Sequence, residues 1–145
     1  MDHSDVIEEY VGKPYWIIDI LPKRVPANRA GQYFKIEAYF LKQHPFSVTC
    51  QKFSNLLIKL NCYYDISVYN TLDEWIDNPC PESIEKSVSS GKAVYVVIKS
   101  EDAMIGFDGD DHYMTLYNTN ERLLELIGAL ANAEGLFVYQ HDKFT

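Results

Sequence analysis

The sequence has few cysteines, and they follow no recognisable pattern. Cys50, Cys62 and Cys80 lie twelve and eighteen residues apart, which fits no zinc-binding spacing, and an odd number cannot close a set of disulfide bonds. Free, mostly packed thiols are typical of proteins in a reducing compartment. No stretch approaches the roughly 18 consecutive apolar residues of a membrane span, and the start is acidic where a signal peptide would be basic. We therefore predict a cytoplasmic protein.

Catalytic and cofactor motifs are also missing from the sequence. There is no glycine-rich phosphate loop, no nucleophile-elbow serine and no paired-histidine motif. A cysteine nucleophile would need a histidine brought close by the fold, and none of the three cysteines has a local pattern that supports this role. We predict no catalytic residue and no cofactor, and we favour a function that is not enzymatic.

Positive charge is scarce as well. The chain has 13 Lys and Arg against 21 Asp and Glu, for a formal net charge of −8. Residues 63–121 hold three Lys or Arg against twelve Asp or Glu, whereas residues 1–62 hold eight against six. This balance argues against nucleic acid and anionic membranes as partners and favours a basic protein. The alternative is a solvated acidic surface that only keeps the protein soluble.

What the sequence contains instead is a series of strand and helix patterns. Its length allows one substantial core, so we predict a single domain over 1–145, with 1–13 as a short helix or a frayed lead-in. Apolar residues recur at helical spacing from Phe46 to Leu60. Residues 32–41 fit both the helical and the strand period, and we favour a helix. Strands are predicted over 15–21 and 63–69, an irregular exposed segment over 70–81 and a short helix over 82–90.

The clearest pattern in the chain runs from Ala93 to Gln140. It begins with a densely apolar strand over 93–99 and continues with a hairpin over 103–117, in which Asp108-Gly109 supplies the turn. A helix follows, capped by Asn118 or Thr119 and ended by Gly135, and then a last strand. The order β-α-α-β-α-β-β-β-α-β predicts an α+β fold with a mostly antiparallel sheet and helices on one face.

Candidate binding residues lie in the acidic segments of this chain. Trp75 stands among carboxylates and either anchors a partner, as aromatic residues often do, or folds back to cap the core. A second acidic group, formed by Asp108, Asp110 and Asp111 with His112 beside it, has the donor types for a divalent cation. Its spacing departs from the calcium-loop pattern, so we predict no metal site. The predicted partner-binding residues are Asp73, Glu74, Trp75, Asp77, Asp108, Asp110 and Asp111.

We predict that the chain is a small acidic protein that binds a basic protein partner. In charge and size it is similar to immunity proteins, which neutralise nuclease toxins by covering with acidic groups the surface where the toxin would hold phosphates. The alternative is a small ligand-binding or hydrolytic enzyme domain with a pocket between helices and sheet, in which Asp19, Asp65, His112 and tyrosines supply polar groups. A homodimer formed through a strand edge or an aromatic patch is left open.

Overall fold

The structure, a computed structural model, describes residues 3–42, 48–69, 74–108 and 113–140. Phe46, where the predicted helix over 46–60 begins, lies outside these residues. Within them the chain forms five α-helices and seven β-strands. In chain order these are α1 (His3–Val11), β1 (Tyr15–Asp19), α2 (Ala30–Lys42), α3 (Val48–Leu60), β2 (Ser67–Tyr69), β3 (Trp75–Asp77), α4 (Pro81–Val88), β4 (Val94–Ile98), β5 (Ala103–Phe107), β6 (Tyr113–Tyr117), α5 (Glu121–Ala133) and β7 (Phe137–Gln140).

All seven described strands belong to one sheet in the order β3-β2-β4-β5-β6-β1-β7, and every neighbouring pair is antiparallel. The predicted α+β fold with a mostly antiparallel sheet is therefore confirmed. Strands β4, β5 and β6 are neighbours in both sequence and space, because few residues separate them in the chain. Gly109 of the predicted turn lies outside the described residues. The first strand, β1, instead lies between β6 and β7, so the first and last described strands are neighbours in the sheet.

One face of the sheet carries the hydrophobic core. Strand residues alternate between faces, and the register places Ile18 beside Met114 and Met114 beside Phe107 on the same side. Helices α3, α4 and α5 cover this side, and α3 contacts both of the others. The core includes the fully buried residues Ile18, Phe53, Leu56, Leu60, Ile98, Met114, Leu116, Leu123 and Ile127. Among them, Phe53, Leu60, Leu123 and Ile127 belong to the apolar stripes that the sequence patterns predicted for the two long helices.

The opposite face of the sheet is rich in aromatic residues. One row of aligned residues crosses all seven strands on this side: Trp75, Tyr69, Tyr95, Gly106, Thr115, Ile17 and Tyr139. The rings of Tyr69 and Trp75 are 5.3 Å apart, and those of Tyr69 and Tyr95 are 6.5 Å apart, both at tilted angles that suit aromatic contacts. The sheet thus has a core face and an aromatic face.

Helices α1 and α2 lie by the aromatic face. Val11 of α1 and Tyr33 of α2 line a cleft together with Tyr15 and Tyr117 of that face. Tyr10 anchors α1, because its hydroxyl donates a 2.8 Å hydrogen bond to Asp102 Oδ1 just before β5. Burial, followed by this hydrogen bond and the charge of Asp102, raises the pKa of the Tyr10 hydroxyl to about 12.

The helix predicted over 32–41 is confirmed as α2, and the lead-in is helical over His3–Val11.

Three local predictions differ from the structure. Part of the segment predicted to be irregular forms β3, which pairs with β2 at the edge of the sheet. The predicted strand over 63–69 is shorter, because the Leu60 carbonyl accepts hydrogen bonds from the N–H groups of Tyr63 and Tyr64 and extends the end of α3. The cap of α5 is Asn120, whose Oδ1 accepts from the Leu123 N–H at 2.8 Å.

Among the described helices, none is both long and apolar enough to cross a membrane.

A polar stripe on α3 joins this helix to its neighbours. Gln51 reaches Glu85 of α4 at 3.3 Å, and Asn55 reaches Glu134, at the end of α5, at 3.2 Å. Lys59 forms an ion pair of 2.6 Å with the same Glu134, whose side chain is only 11% exposed. Burial alone would raise the pKa of Glu134, but the hydrogen bonds from Lys59 and Asn55 and the nearby positive charges hold it below its ordinary value of 4.5.

Removing the Glu134 charge is expected to make the protein less stable only at pH values at which this carboxylate is ionised. We expect Glu134→Gln to lower the free energy of unfolding by about 1 kcal/mol at neutral pH. A depressed pKa gives stability that is complete above the ordinary value of 4.5 and disappears as the pH falls through the lower folded-state pKa. Urea unfolding at pH 7 and pH 3 measures both differences. Glu125→Gln, at an exposed site on α5, is the control, and an equal loss at both pH values for Glu134→Gln would contradict the ion-pair explanation.

Candidate functional site

The predicted partner-binding residues do not all come together in the structure. Glu74 is exposed directly before β3, and Trp75 and Asp77 belong to this edge strand. Asp108 is exposed at the end of β5, three strands away, which corresponds to about 14 Å across the sheet. Asp73, Asp110 and Asp111, together with His112, lie outside the described residues. The acidic site is therefore centred on the β2–β3 edge, and Asp108 is separate from it.

Asp77 and Asp65 share a cleft of about 510 Å³ at this edge, which we call the acidic cleft. It opens where β2 begins and β3 ends, next to the turn that precedes β5. Both carboxylates belong to exposed residues. The residues that line the acidic cleft are Tyr63, Tyr64, Asp65, Ile66, Ser67, Asp77, Asn78, Lys99 and Ser100.

Asn78 fixes the geometry of the acidic cleft. Its backbone adopts a left-handed conformation, with φ of +46°, which asparagine tolerates better than most residues. Its N–H donates to the Ile66 carbonyl at 2.8 Å, and its side-chain oxygen accepts from the Ile66 N–H at 2.9 Å. Its Nδ2 then donates to Asp65 Oδ1 at 3.2 Å, while Asp77 Oδ1 accepts from Ser67 Oγ at 2.5 Å. The two carboxylates are thus held in place from inside the protein.

Two tyrosines and one lysine complete the walls of the acidic cleft. Tyr63 is 65% exposed, which is unusual for a large aromatic side chain. Burial, with a hydrogen bond to Glu101 and the charge of that carboxylate, raises the pKa of Tyr64, so its hydroxyl remains protonated at neutral pH. Lys99 brings one positive charge to a wall that otherwise carries two negative ones. The cleft offers carboxylate acceptors next to an exposed ring.

Trp75 lies at the end of the aromatic row and not among the core residues beneath the helices. It is partly buried, and its ring packs on Tyr69, which is itself buried on the aromatic face. Its neighbour Ile76 is aligned with Val68, on the core side of the sheet. Trp75 therefore combines a fixed orientation with partial exposure at the sheet edge.

A second cleft, of about 710 Å³, lies between α2 and the aromatic face. Its walls include Tyr15, Tyr113, Tyr117 and Tyr139 from the sheet and Tyr33 and Phe34 from α2, and we call it the tyrosine cleft. At one end is Asp19, which the sequence offered as a polar group for a ligand pocket. It is 3% exposed and accepts hydrogen bonds from the Tyr139 hydroxyl and the Ile20 N–H, both at 2.6 Å.

Metal ions in proteins are held mainly by groups of His, Cys, Asp and Glu side chains. Among the described residues, no three His, Cys, Asp or Glu side chains lie close enough together to do so. The three cysteines are free thiols, but the prediction that they are mostly packed was wrong, because Cys62 and Cys80 are exposed and Cys50 is only half-buried. His44, His112 and His141, the histidines with which a cysteine could pair, lie outside the described residues.

Sequence reasoning missed Asn78, did not place Tyr63 among the predicted partner-binding residues, and treated Asp65 only as one of several polar groups. The one usable signal is Asp77-Asn78-Pro79, because an asparagine before a proline often marks a turn. The proximity of Asp65 and Asp77 depends on the pairing of β2 with β3. No known family model matches the chain, and searches of curated proteins and of solved structures found no match either.

Proposed function

We propose that this protein is a non-enzymatic binding protein that recognises a basic protein partner through the acidic cleft and the adjoining edge strand β3. The observation that carries the proposal is the presence of two exposed carboxylates, Asp65 and Asp77, in one cleft beside the exposed ring of Tyr63. Arginine and lysine side chains bind carboxylates and also stack on aromatic rings. The cleft therefore suits a basic side chain of a partner.

The distribution of charge supports this choice. The strongly acidic segment 63–121 forms β2, β3, β4, β5 and β6, which are contiguous in the sheet. The more basic part of the chain supplies β1 and α2 on the other side. A charge separation of this kind steers a basic partner toward one side of the molecule and raises the association rate.

The hydrogen bonds within the acidic cleft also support binding. An ionised carboxylate has about four positions that can accept a hydrogen bond. Asp65 and Asp77 are each held by a hydrogen bond to Oδ1, from Asn78 and from Ser67. Acceptor positions on both carboxylates thus remain for donors of another molecule. Because the two side chains are already held in place, they lose little conformational entropy when a partner binds.

By analogy of charge and size with immunity proteins, a nuclease toxin is the class of partner that should be tested first. A cytoplasmic location is part of the proposal and is supported by the three free thiols. To find the partner, a photo-crosslinking amino acid placed at Tyr63 should capture a basic protein in cells. The same amino acid at Glu125, exposed on α5, is the control position and should capture none.

Once a partner has been identified, the contribution of the Asp65 and Asp77 carboxylates to its binding affinity can be measured. The double variant Asp65→Asn/Asp77→Asn keeps acceptor atoms for the internal hydrogen bonds but removes both charges. We expect it to bind at least about tenfold more weakly than the wild type at about 0.1 M salt. The wild type should itself lose affinity between about 0.1 M and about 1 M salt, where the Debye length falls from about 10 Å to about 3 Å.

A matched variant tests whether position matters beyond net charge. Asp5→Asn/Glu8→Gln removes two exposed carboxylates from α1, outside the acidic half of the sheet. Titration calorimetry should give this variant an affinity within about twofold of the wild type, because isolated surface charges contribute little. An affinity that does not change with salt, or an equal loss in both double variants, would contradict recognition by the acidic cleft.

A further inference from the structure

The tyrosine cleft is a second concave surface, on the sheet half opposite the acidic edge. Its volume of about 710 Å³ falls within the range of about 300–1,000 Å³ that is typical of small-molecule sites. Strands β1, β6 and β7 supply its floor, and α1 and α2 supply its walls. The proposed partner surface does not use these elements, so the cleft needs an explanation of its own.

Gly106 of β5 is aligned with Thr115, which lines the tyrosine cleft. A Cβ atom at Gly106 would lie 3.5 Å from the Tyr117 ring and 3.6 Å from the Tyr95 ring. Both rings therefore lie within van der Waals distance of this part of β5. Tyr15 is aligned with Tyr117 in the next strand, and their ring centroids are 6.0 Å apart. The result is a surface of aromatic rings against which a flat molecule can lie.

Asp19 and Tyr139 form a fixed polar end of the cleft. Asp19 accepts hydrogen bonds from the Tyr139 hydroxyl and from two backbone N–H groups, of Ile20 and Leu21, so the protein itself supplies donors for its carboxylate. Burial, the hydrogen bond and the charge of Asp19 raise the pKa of Tyr139, which keeps the hydroxyl protonated. Arg24 also lines the cleft, and its positive charge acts to lower the pKa of Tyr139.

Much of the cleft lining comes from the most basic stretch of an acidic protein. Residues 13–42, which form β1, α2 and the loop between them, hold six Lys or Arg against two Asp or Glu. Lys23 and Arg29 are close in sequence to the lining residues Arg24, Ala27 and Ala30. This local excess of positive charge favours a negatively charged ligand, although the chain as a whole carries −8.

We propose that the tyrosine cleft binds a flat aromatic small molecule that carries an anionic group. The aromatic part lies on the rings of Tyr15 and Tyr117 and against Phe34, where stacking and burial of apolar surface stabilise it. The anionic group lies toward Arg24, whose guanidinium can donate two parallel hydrogen bonds to a carboxylate, phosphate or sulfonate. Asp19 is a positioning residue, because it orients Tyr139 at the end of the cleft.

Two fluorescent dyes with the same rings test both parts of the proposal. The first, 8-anilinonaphthalene-1-sulfonate, is an aromatic anion, and the second, N-phenyl-1-naphthylamine, lacks the sulfonate. We expect the folded full-length chain to bind one molecule of the anionic dye saturably, and at least about fivefold more tightly than the neutral dye. Arg24→Gln should weaken binding of the anionic dye alone, to about the affinity of the neutral one.

Variants of the walls show where the dye binds. Phe34 is 60% exposed, so Phe34→Ala should leave folding intact and weaken both dyes about threefold or more. Tyr117→Ala, which removes part of the floor, should weaken both further. Tyr63→Ala and Asp65→Asn/Asp77→Asn change only the acidic cleft and should leave dye binding unchanged, so this result is independent of the proposed protein partner. Absence of saturable binding, equal affinity for the two dyes, or affinities unaffected by Phe34→Ala would overturn the proposal.

Discussion

Replacing Phe53 by alanine is expected to lower the free energy of unfolding by about 3–5 kcal/mol, the usual cost of removing a fully buried aromatic side chain. Phe53 is 0% exposed, and its ring centroid is 5.3 Å from that of Phe107 in β5. It belongs to α3, which contacts both other helices of the core face. The loss would therefore affect the layer between helices and sheet and not one local contact. Urea unfolding followed by circular dichroism measures it.

Ser54, the residue next to Phe53, provides a matched control for the loss of stability in Phe53→Ala. Ser54 is equally buried, and its hydroxyl has no hydrogen-bond partner within the described part of the chain. Ser54→Ala removes a buried polar atom and leaves almost the same volume, so we expect a change within about 0.5 kcal/mol or a slight gain in stability. A loss for Phe53→Ala as small as that for Ser54→Ala would contradict the packing of α3 on the sheet.

Replacing Asp19 by alanine is expected to cost about 3 kcal/mol, which is large for a residue at the end of a strand. The carboxylate is buried and accepts hydrogen bonds from the Tyr139 hydroxyl and from the N–H groups of Ile20 and Leu21. Alanine would leave these donors without that acceptor. Because Tyr139 belongs to β7, the change also weakens the attachment of this edge strand to β1.

A double-mutant cycle separates the hydrogen bond between Asp19 and Tyr139 from the other effects. Tyr139→Phe removes only the hydroxyl and should cost about 1 kcal/mol. In the Asp19→Ala background the same change should cost much less, because the acceptor is already gone, and the difference gives a coupling of about 1 kcal/mol or more. Equal costs of Tyr139→Phe in both backgrounds would show that the two side chains do not interact.

The helices were predictable because their signals are local. The apolar stripe of α3 and that of α5, with Gly135 at its end, appear in the sequence as spacings of three and four residues. In the structure Phe53, Leu57, Leu60, Leu123 and Ile127 are all buried, and Gly135 has φ of +75°. The hairpin of β5 and β6 was predictable for the same reason, since its strands are adjacent in the chain.

Strand β3 was not predictable in this way. Its three residues, Trp75 to Asp77, are too few to show a period, and they lie between polar residues and prolines. They form a strand because β2 offers hydrogen-bonding groups in register and because Asn78 closes the pair at one end. The assignment of 70–81 to an exposed irregular segment was wrong here, since a neighbour in space decided the outcome.

The sequence by itself determined the fold class, the core helices and the concentration of acidic residues in 63–121, because periodicity, turn residues and charge are properties of neighbouring positions. Only the tertiary structure decided which acidic residues act together. It joined Asp65 to Asp77 through the pairing of β2 and β3, separated Asp108 from them, and buried Asp19 against Tyr139, 120 positions along the chain. These contacts depend on strand order, and strand order follows from how the helices and the sheet bury their apolar faces together.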